Sequence, residues 1–312
     1  MWIDMPDAPG SHPGASAGGA GGAAPSGNPG KGSPGVFNRP RNSLSNRFVY
    51  AVISQRARGL SIGINLNPDK KCNFDCVYCE VDRDTPGAER KVDVRVMGEE
   101  LESLLQRVQQ GRLRELPGFS HLPDELLQLK EVALSGDGEP TLCPNFQEVV
   151  REVFYHRSTG RFPFFKIVLI TNGTGLDRPQ VQESLKRFTK SDEIWVKLDG
   201  GTQEYLDQVC RMKDISLEKI MANILHLGRQ RPVVIQSLFP AINGAEPPAA
   251  EIEEYARRLN ELKADGAKIS LVQIYSAARP VTHVECGHLP LKALSNIAHT
   301  VRQMTGLKTE VF

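Results

Sequence analysis

Cys72, Cys76 and Cys79 lie in one run, Lys-Lys-Cys-Asn-Phe-Asp-Cys-Val-Tyr-Cys-Glu, so three soft thiolate ligands project from a single loop. A closed zinc site wants four protein ligands, whereas three cysteines on a four-iron cubane leave one iron open for other chemistry. Zinc would need a fourth ligand from Cys143, Cys210, Cys286 or a histidine. No second close-spaced cysteine pair exists in the chain, which favours the iron–sulfur reading. The dispersed cysteines read as buried or incidental thiols, and His283 and His288 around Cys286 as a surface loop.

Further candidates stand at the ends of apolar runs. In Ser135-Gly136-Asp137-Gly138-Glu139-Pro140-Thr141 the glycines allow close backbone approach and the carboxylate can accept hydrogen bonds; a tight turn with a solvated acid is the alternative. Thr171-Asn172-Gly173 serves equally as a polar contact or as ordinary turn chemistry. In Glu193-Ile-Trp-Val-Lys-Leu-Asp199, alternation places Trp195, Lys197 and Asp199 on one face and Val196 and Leu198 on the other. Lys197 and Asp199 then face inward, either as binding groups or as a structural ion pair. Gln236 and Gln273, in apolar runs, are expected to face the same interior.

Positioning these groups requires strands that end at one mouth. Apolar runs at 61–66, 131–135, 166–171, 193–199, 232–238 and 269–275 read as strands. Segments at 98–110, 145–155, 179–190, 217–229, 249–264 and 289–304 carry apolar residues at three- and four-residue spacing and read as helices. The alternation predicts an α/β fold of repeated βα units. Six strands are too few for an eight-stranded barrel, so a partial, TIM-like (β/α)6 barrel is expected, with its site at the strands' carboxyl ends.

Cys-x-x-x-Cys-x-x-Cys with Tyr78 before the last cysteine resembles the signature of the radical S-adenosylmethionine (SAM) superfamily, and the later motifs follow in that family's order over residues 48–280. The resemblance implies a [4Fe-4S] cluster on Cys72, Cys76 and Cys79, with SAM chelating the fourth iron. Gly136, Gly138 and Glu139 look like the family's glycine-glycine-glutamate motif, which meets the methionine ammonium; here the glycines bracket Asp137 instead of adjoining. Tyr78 would lie at the adenine, Asn172 and Asp199 toward the nucleoside, and Lys197 toward the SAM carboxylate, Lys197 being the one candidate for a catalytic side chain. Reductive cleavage of SAM would yield a 5′-deoxyadenosyl radical, with flavodoxin or ferredoxin as electron donor.

Ile64-Asn65-Leu66-Asn67-Pro68, with Gly-Glu-Pro-Thr-Leu and Val-Lys-Leu-Asp-Gly, is most similar to the group containing tRNA-wyosine synthases, which condense pyruvate carbons onto a methylated guanine using a second cluster and a lysine proposed to hold pyruvate. No cysteine precedes Cys72 in this sequence, and a flavin-binding domain is not expected. One cluster is therefore expected. The substrate expectation stays broad: RNA, a small molecule, or a partner protein on which a radical is made. A non-catalytic iron–sulfur or zinc module is the remaining alternative.

The chain has 312 residues and is 40% hydrophobic, enough for one large domain. Its net charge of +1, from 38 basic and 37 acidic side chains, does not mark a general nucleic-acid binder. Residues 11–34 are almost entirely Gly, Ala, Pro and Ser, so 1–46 is expected to be a disordered tail and 47–312 the folded domain. The tail lacks a basic start followed by an apolar stretch, and Asp4 and Asp7 argue against a transit peptide. Unpaired clustered cysteines suit a reducing compartment, so a cytoplasmic location without a membrane span is expected.

Overall fold

The computed structural model describes residues 45–312 apart from 86, 88, 278–280 and 282, so the tail expected at 1–46 falls almost wholly outside it. In chain order the elements are β1 (Val49–Ser54), β2 (Gly59–Asn65), α1 (Val94–Gln109), α2 (Asp124–Leu127), β3 (Leu129–Ser135), α3 (Phe146–Ser158), β4 (Lys166–Thr171), α4 (Pro179–Leu185) and β5 (Glu193–Lys197). There follow α5 (Gln203–Val209), α6 (Leu217–Gln230), β6 (Val233–Leu238), β7 (Ala241–Ile242), α7 (Ala249–Ala264), β8 (Ile269–Tyr275), β9 (Cys286–Gly287), α8 (Leu291–Thr305) and β10 (Thr309–Val311).

Eight strands form one open sheet in the order β1-β2-β3-β4-β5-β6-β8-β10. The β1–β2 pair is antiparallel and the other pairs are parallel. The six expected strands are thus the six consecutive strands β2 to β8 in this order, and the expected α/β partial barrel is the observed architecture. β2 is buried on both faces, as a parallel strand covered by helices on one side and lining the interior on the other must be. Val196 pairs with the outer core, whereas Trp195 packs inside the curve against Val168 and Val234. Among the described residues no helix is long and apolar enough to cross a membrane.

Several elements escape the sequence reading. β1 alternates buried Val49, Ala51 and Ile53 with half-buried partners, but its antiparallel pairing lies outside the βα rhythm. β10, with three residues, and the two-residue pair β7–β9 are too short for periodicity to register. α5, seven residues long, is likewise missed. α4 ends at Leu185 instead of 190, where three-residue turn bonds (Arg187 N–H to Ser184 O, 3.2 Å; Phe188 N–H to Leu185 O, 3.1 Å) tighten the chain. β5 ends at Lys197, which leaves Asp199 on the loop beyond it.

The amino ends of the strands are fastened by Asp192, just before β5. Its buried carboxylate accepts both Arg157 Nη atoms from α3, Ile167 N–H of β4 at 2.8 Å, and the N–H and hydroxyl of Thr189 at 2.7 and 2.9 Å. Burial opposes the charge, but the Arg157 guanidinium and these donors prevail and hold the carboxyl below its ordinary value. A depressed carboxyl stabilises the fold above its unfolded pKa and loses that contribution as pH falls through the folded value. Asp192→Asn should cost about 3 kcal/mol at neutral pH by urea denaturation. The variant's stability should also fall less than the parent's between about pH 5 and pH 2.

Candidate functional site

A cavity of about 370 Å³ reaches from the loops beyond the carboxyl ends of β2 to β8 down to Ser61 and Glu131 near the amino ends of β2 and β3, and these candidate residues border it: Cys72, Cys76, Tyr78, Cys79, Gly136, Gly138, Glu139, Asn172, Lys197 and Asp199. The loop after β2 carries the cysteines and is held from both sides. Val77 is buried in the core, and Phe74, also buried, borders the cavity beside the three half-buried cysteines. The loop backbone pairs with the end of α5 through Asp75 N–H to Cys210 O at 3.2 Å and Val77 N–H to Val209 O at 2.9 Å. None of the six cysteines is in a disulfide.

The glycine turn after β3 is shaped by this loop. A Cβ on Gly138 would stand 1.9 Å from the Lys71 carbonyl, and one on Gly136 2.4 Å from Asn67 Oδ1. The close backbone approach expected at these glycines therefore exists, and the approaching group is the cysteine loop itself. Asn65 locks the turn: its Nδ2 donates to Asp137 Oδ2 at 2.8 Å and its Oδ1 accepts Asp137 N–H at 3.0 Å. Asn172 does similar work from β4, donating to Asn73 Oδ1 at 2.9 Å, while Asn73 donates to Thr174 Oγ1 at 2.9 Å.

Glu139 is 2% exposed. Oε1 accepts Thr141 N–H at 3.0 Å and the hydroxyls of Thr141 and Thr171, both at 2.5 Å; Oε2 accepts Asn172 N–H at 2.6 Å. Burial raises its pKa even so, with these donors opposing the rise. The solvated-acid alternative is thereby excluded: Glu139 is a buried hub joining the ends of β3 and β4.

Lys197 and Asp199 face the cavity as alternation predicts. Lys197 Nζ lies 3.0 Å from Asp199 Oδ1 and donates to Tyr275 Oη at 2.9 Å, over the rings of Tyr78 and Tyr275 at 4.8 and 4.9 Å. Asp199 also accepts Leu238 N–H at 2.7 Å, the Tyr78 hydroxyl, and the Cys210 thiol at 3.5 Å. Burial would lower the Lys197 pKa, but the Asp199 charge and the Tyr275 hydroxyl together outweigh it and raise the value. Lys197 is held as an ammonium. The neighbouring Cys210 sulfur lowers the Cys76 pKa against burial, while burial pushes Cys72 up to about 12.

The motifs do not disclose several charged residues of the cavity, among them Arg56, Arg83 and Glu131. Arg83 donates to the carbonyls of Lys70 and Asp137 (the latter at 3.0 Å) and to Cys79 Sγ at 3.4 Å. At the opposite end, Glu131 accepts Ser61 Oγ at 3.0 Å, and Arg56 stacks on Tyr275 at 4.6 Å. Their only sequence signal is charge beside a strand or loop, which solvated side chains share. Gln236 and Gln273 do turn inward, joined by a 3.1 Å bond. Cys143 is buried and does not border the cavity; His283 faces Asp75 and Glu285, and His288 meets Ala277 O at 3.2 Å. Gly138→Ala should cost about 2 kcal/mol and speed reaction of Cys72 with a thiol reagent, because loop or turn must move. Gly287→Ala, whose Cβ would meet nothing nearer than 3.6 Å, should change neither.

No family model matches the chain. A UPF0026 protein of Helicobacter pylori strain J99 is 25% identical over 239 residues, covering 74% of this chain and 69% of that protein. A UPF0026 protein of Synechocystis is 29% identical over 179 residues, covering 56% and 57%. Among solved structures, a radical SAM methyltransferase from Sphaerobacter thermophilus has a TM-score of 0.61 at 14% identity, covering 85% of this chain and 68% of that one. Streptococcus suis SuiB bound to S-adenosylmethionine has a TM-score of 0.54 at 12% identity, covering 83% and 52%. TYW1 with a lysine–pyruvate adduct bound has a TM-score of 0.52 at 16% identity, covering 81% and 75%. The chain shares the fold of radical SAM enzymes.

Proposed function

We propose that this protein is a radical SAM enzyme with a single iron–sulfur cluster. The observation that carries the reading is the cysteine loop: three half-buried thiols, none in a disulfide, border one cavity at the strand ends of a fold shared with such enzymes. Three thiolates suit a four-iron cluster with one open iron, whereas a closed tetrahedral zinc site wants a fourth protein ligand. Cys72, Cys76 and Cys79 would hold a [4Fe-4S] cluster, whose chemistry when bound with SAM is reductive cleavage to a hydrogen-abstracting 5′-deoxyadenosyl radical.

The chain's own groups do the positioning. Lys197, an ammonium 14% exposed at its side chain, offers charge to an anionic group such as the SAM carboxylate. Glu139 keeps the ends of β3 and β4 together, so its contribution to a bound ammonium comes only through Oε2, the oxygen with a single donor. Tyr78 is engaged by Asp199 and Lys197, which fixes its ring beside the cysteines. The electron would come from a small donor protein of the flavodoxin or ferredoxin kind. RNA modification is retained as the substrate class, supported only by the motif resemblance.

After anoxic reconstitution with iron and sulfide, the full chain should show a reducible cubane signal and form 5′-deoxyadenosine from SAM. Cys76→Ala should abolish both. Stoichiometric zinc with no 5′-deoxyadenosine from the parent protein would sink the reading. Lys197 separates this chain from chemistry that needs a free amine: clamped as an ammonium by Asp199, it is a poor nucleophile toward a keto acid. Incubation with pyruvate and cyanoborohydride should leave Lys197 without a mass adduct; a trapped adduct would show that the clamp opens.

A further inference from the structure

We propose that Arg83 sets the reduction potential of the cluster, acting through Cys79 as a positioning residue. This rests on the reading of the cysteine loop as a cluster site. The guanidinium is fixed at both ends of its fork: Nη1 donates to the Lys70 and Asp137 carbonyls and Nη2 to Cys79 Sγ at 3.4 Å. One rigid planar group thus joins the chain before Cys72, the glycine turn after β3, and the last cysteine. Its Nε is buried without a hydrogen-bond partner. Burial opposes its charge, but Cys79 first, then Cys72 and Cys76, favour the guanidinium and raise its pKa.

Reduction adds an electron to a centre already ringed by thiolates. A fixed cation and an N–H···S bond stabilise the extra negative charge and move the potential upward, since cluster potentials follow net charge and hydrogen bonding to sulfur. Neither carbonyl contact of Arg83 has this effect. A side chain that merely tied the loop down would alter cluster retention or stability and leave the potential of a loaded cluster where it was.

The test is a redox titration, followed by electron paramagnetic resonance, of the full chain reconstituted under anoxic conditions. Arg83→Met should move the one-electron equilibrium about tenfold toward the oxidised cluster, or about 59 mV to lower potential. Arg83→Lys, which keeps the charge and loses the fork, should fall between. If Arg83→Met does not retain a cluster, Arg83→Lys and Arg83→Gln carry the comparison, with Gln expected lower than Lys. Equal potentials in the loaded variants and the parent overturn the proposal while leaving the cluster reading intact. A parent chain that assembles no cubane overturns both.

Discussion

A carboxylate taken out of water must find donors or lose several kcal/mol, and Glu139 is such a group at the centre of the molecule's mouth. It finds four hydrogen bonds, from Thr141, Thr171 and Asn172. Those donors belong to the ends of β3 and β4, so satisfying one charge sets the spacing of two strand ends. Asn172, placed by this arrangement, reaches Asn73, and Asn67 donates to the Glu139 carbonyl at 3.2 Å. The cysteine loop is thus seated by polar groups that are themselves organised around one buried acid. Losing the acid would orphan all of them together, which is the non-additive behaviour expected of a buried network.

On the neighbouring strand a second network follows the same logic with opposite partners. Asp199 is 2% exposed and compensated by Lys197, a backbone N–H, the Tyr78 hydroxyl and the Cys210 thiol. Tyr78 comes from the cysteine loop and Cys210 from the end of α5, so the pair anchors the loop's other flank. Between the two networks lies the cavity, its walls drawn from distant stretches of chain.

Much of this was legible because strand geometry is periodic. Alternation along β5 suffices to turn Lys197 inward, and the clustering of polar residues at strand ends suffices to gather it with Asp199, on the loop just beyond, at one mouth. What stayed hidden depends on reach across the fold. Arg83 bridges groups at Lys70, Asp137 and Cys79, and Arg56 comes from a hairpin turn to lie on Tyr275. No spacing rule encodes such contacts. Gly138 was recognisable as a point of close approach, but what approaches it, the Lys71 carbonyl, is a tertiary fact. The edge strands were hidden for a different reason: β1 is antiparallel and β10 very short, so neither carries the βα signature.

The backbone bonds from Asp75 to Cys210 and from Val77 to Val209 span well over a hundred residues of chain. Such contacts are entropically expensive and form late, because the intervening strands must already be in register. On a ribosome, the thiols emerge long before the segment that holds them. The three sulfurs therefore become a preorganised ligand set only after the sheet through α5 has assembled, and until then they are ordinary thiols on a flexible chain, open to oxidation or to any metal that reaches them.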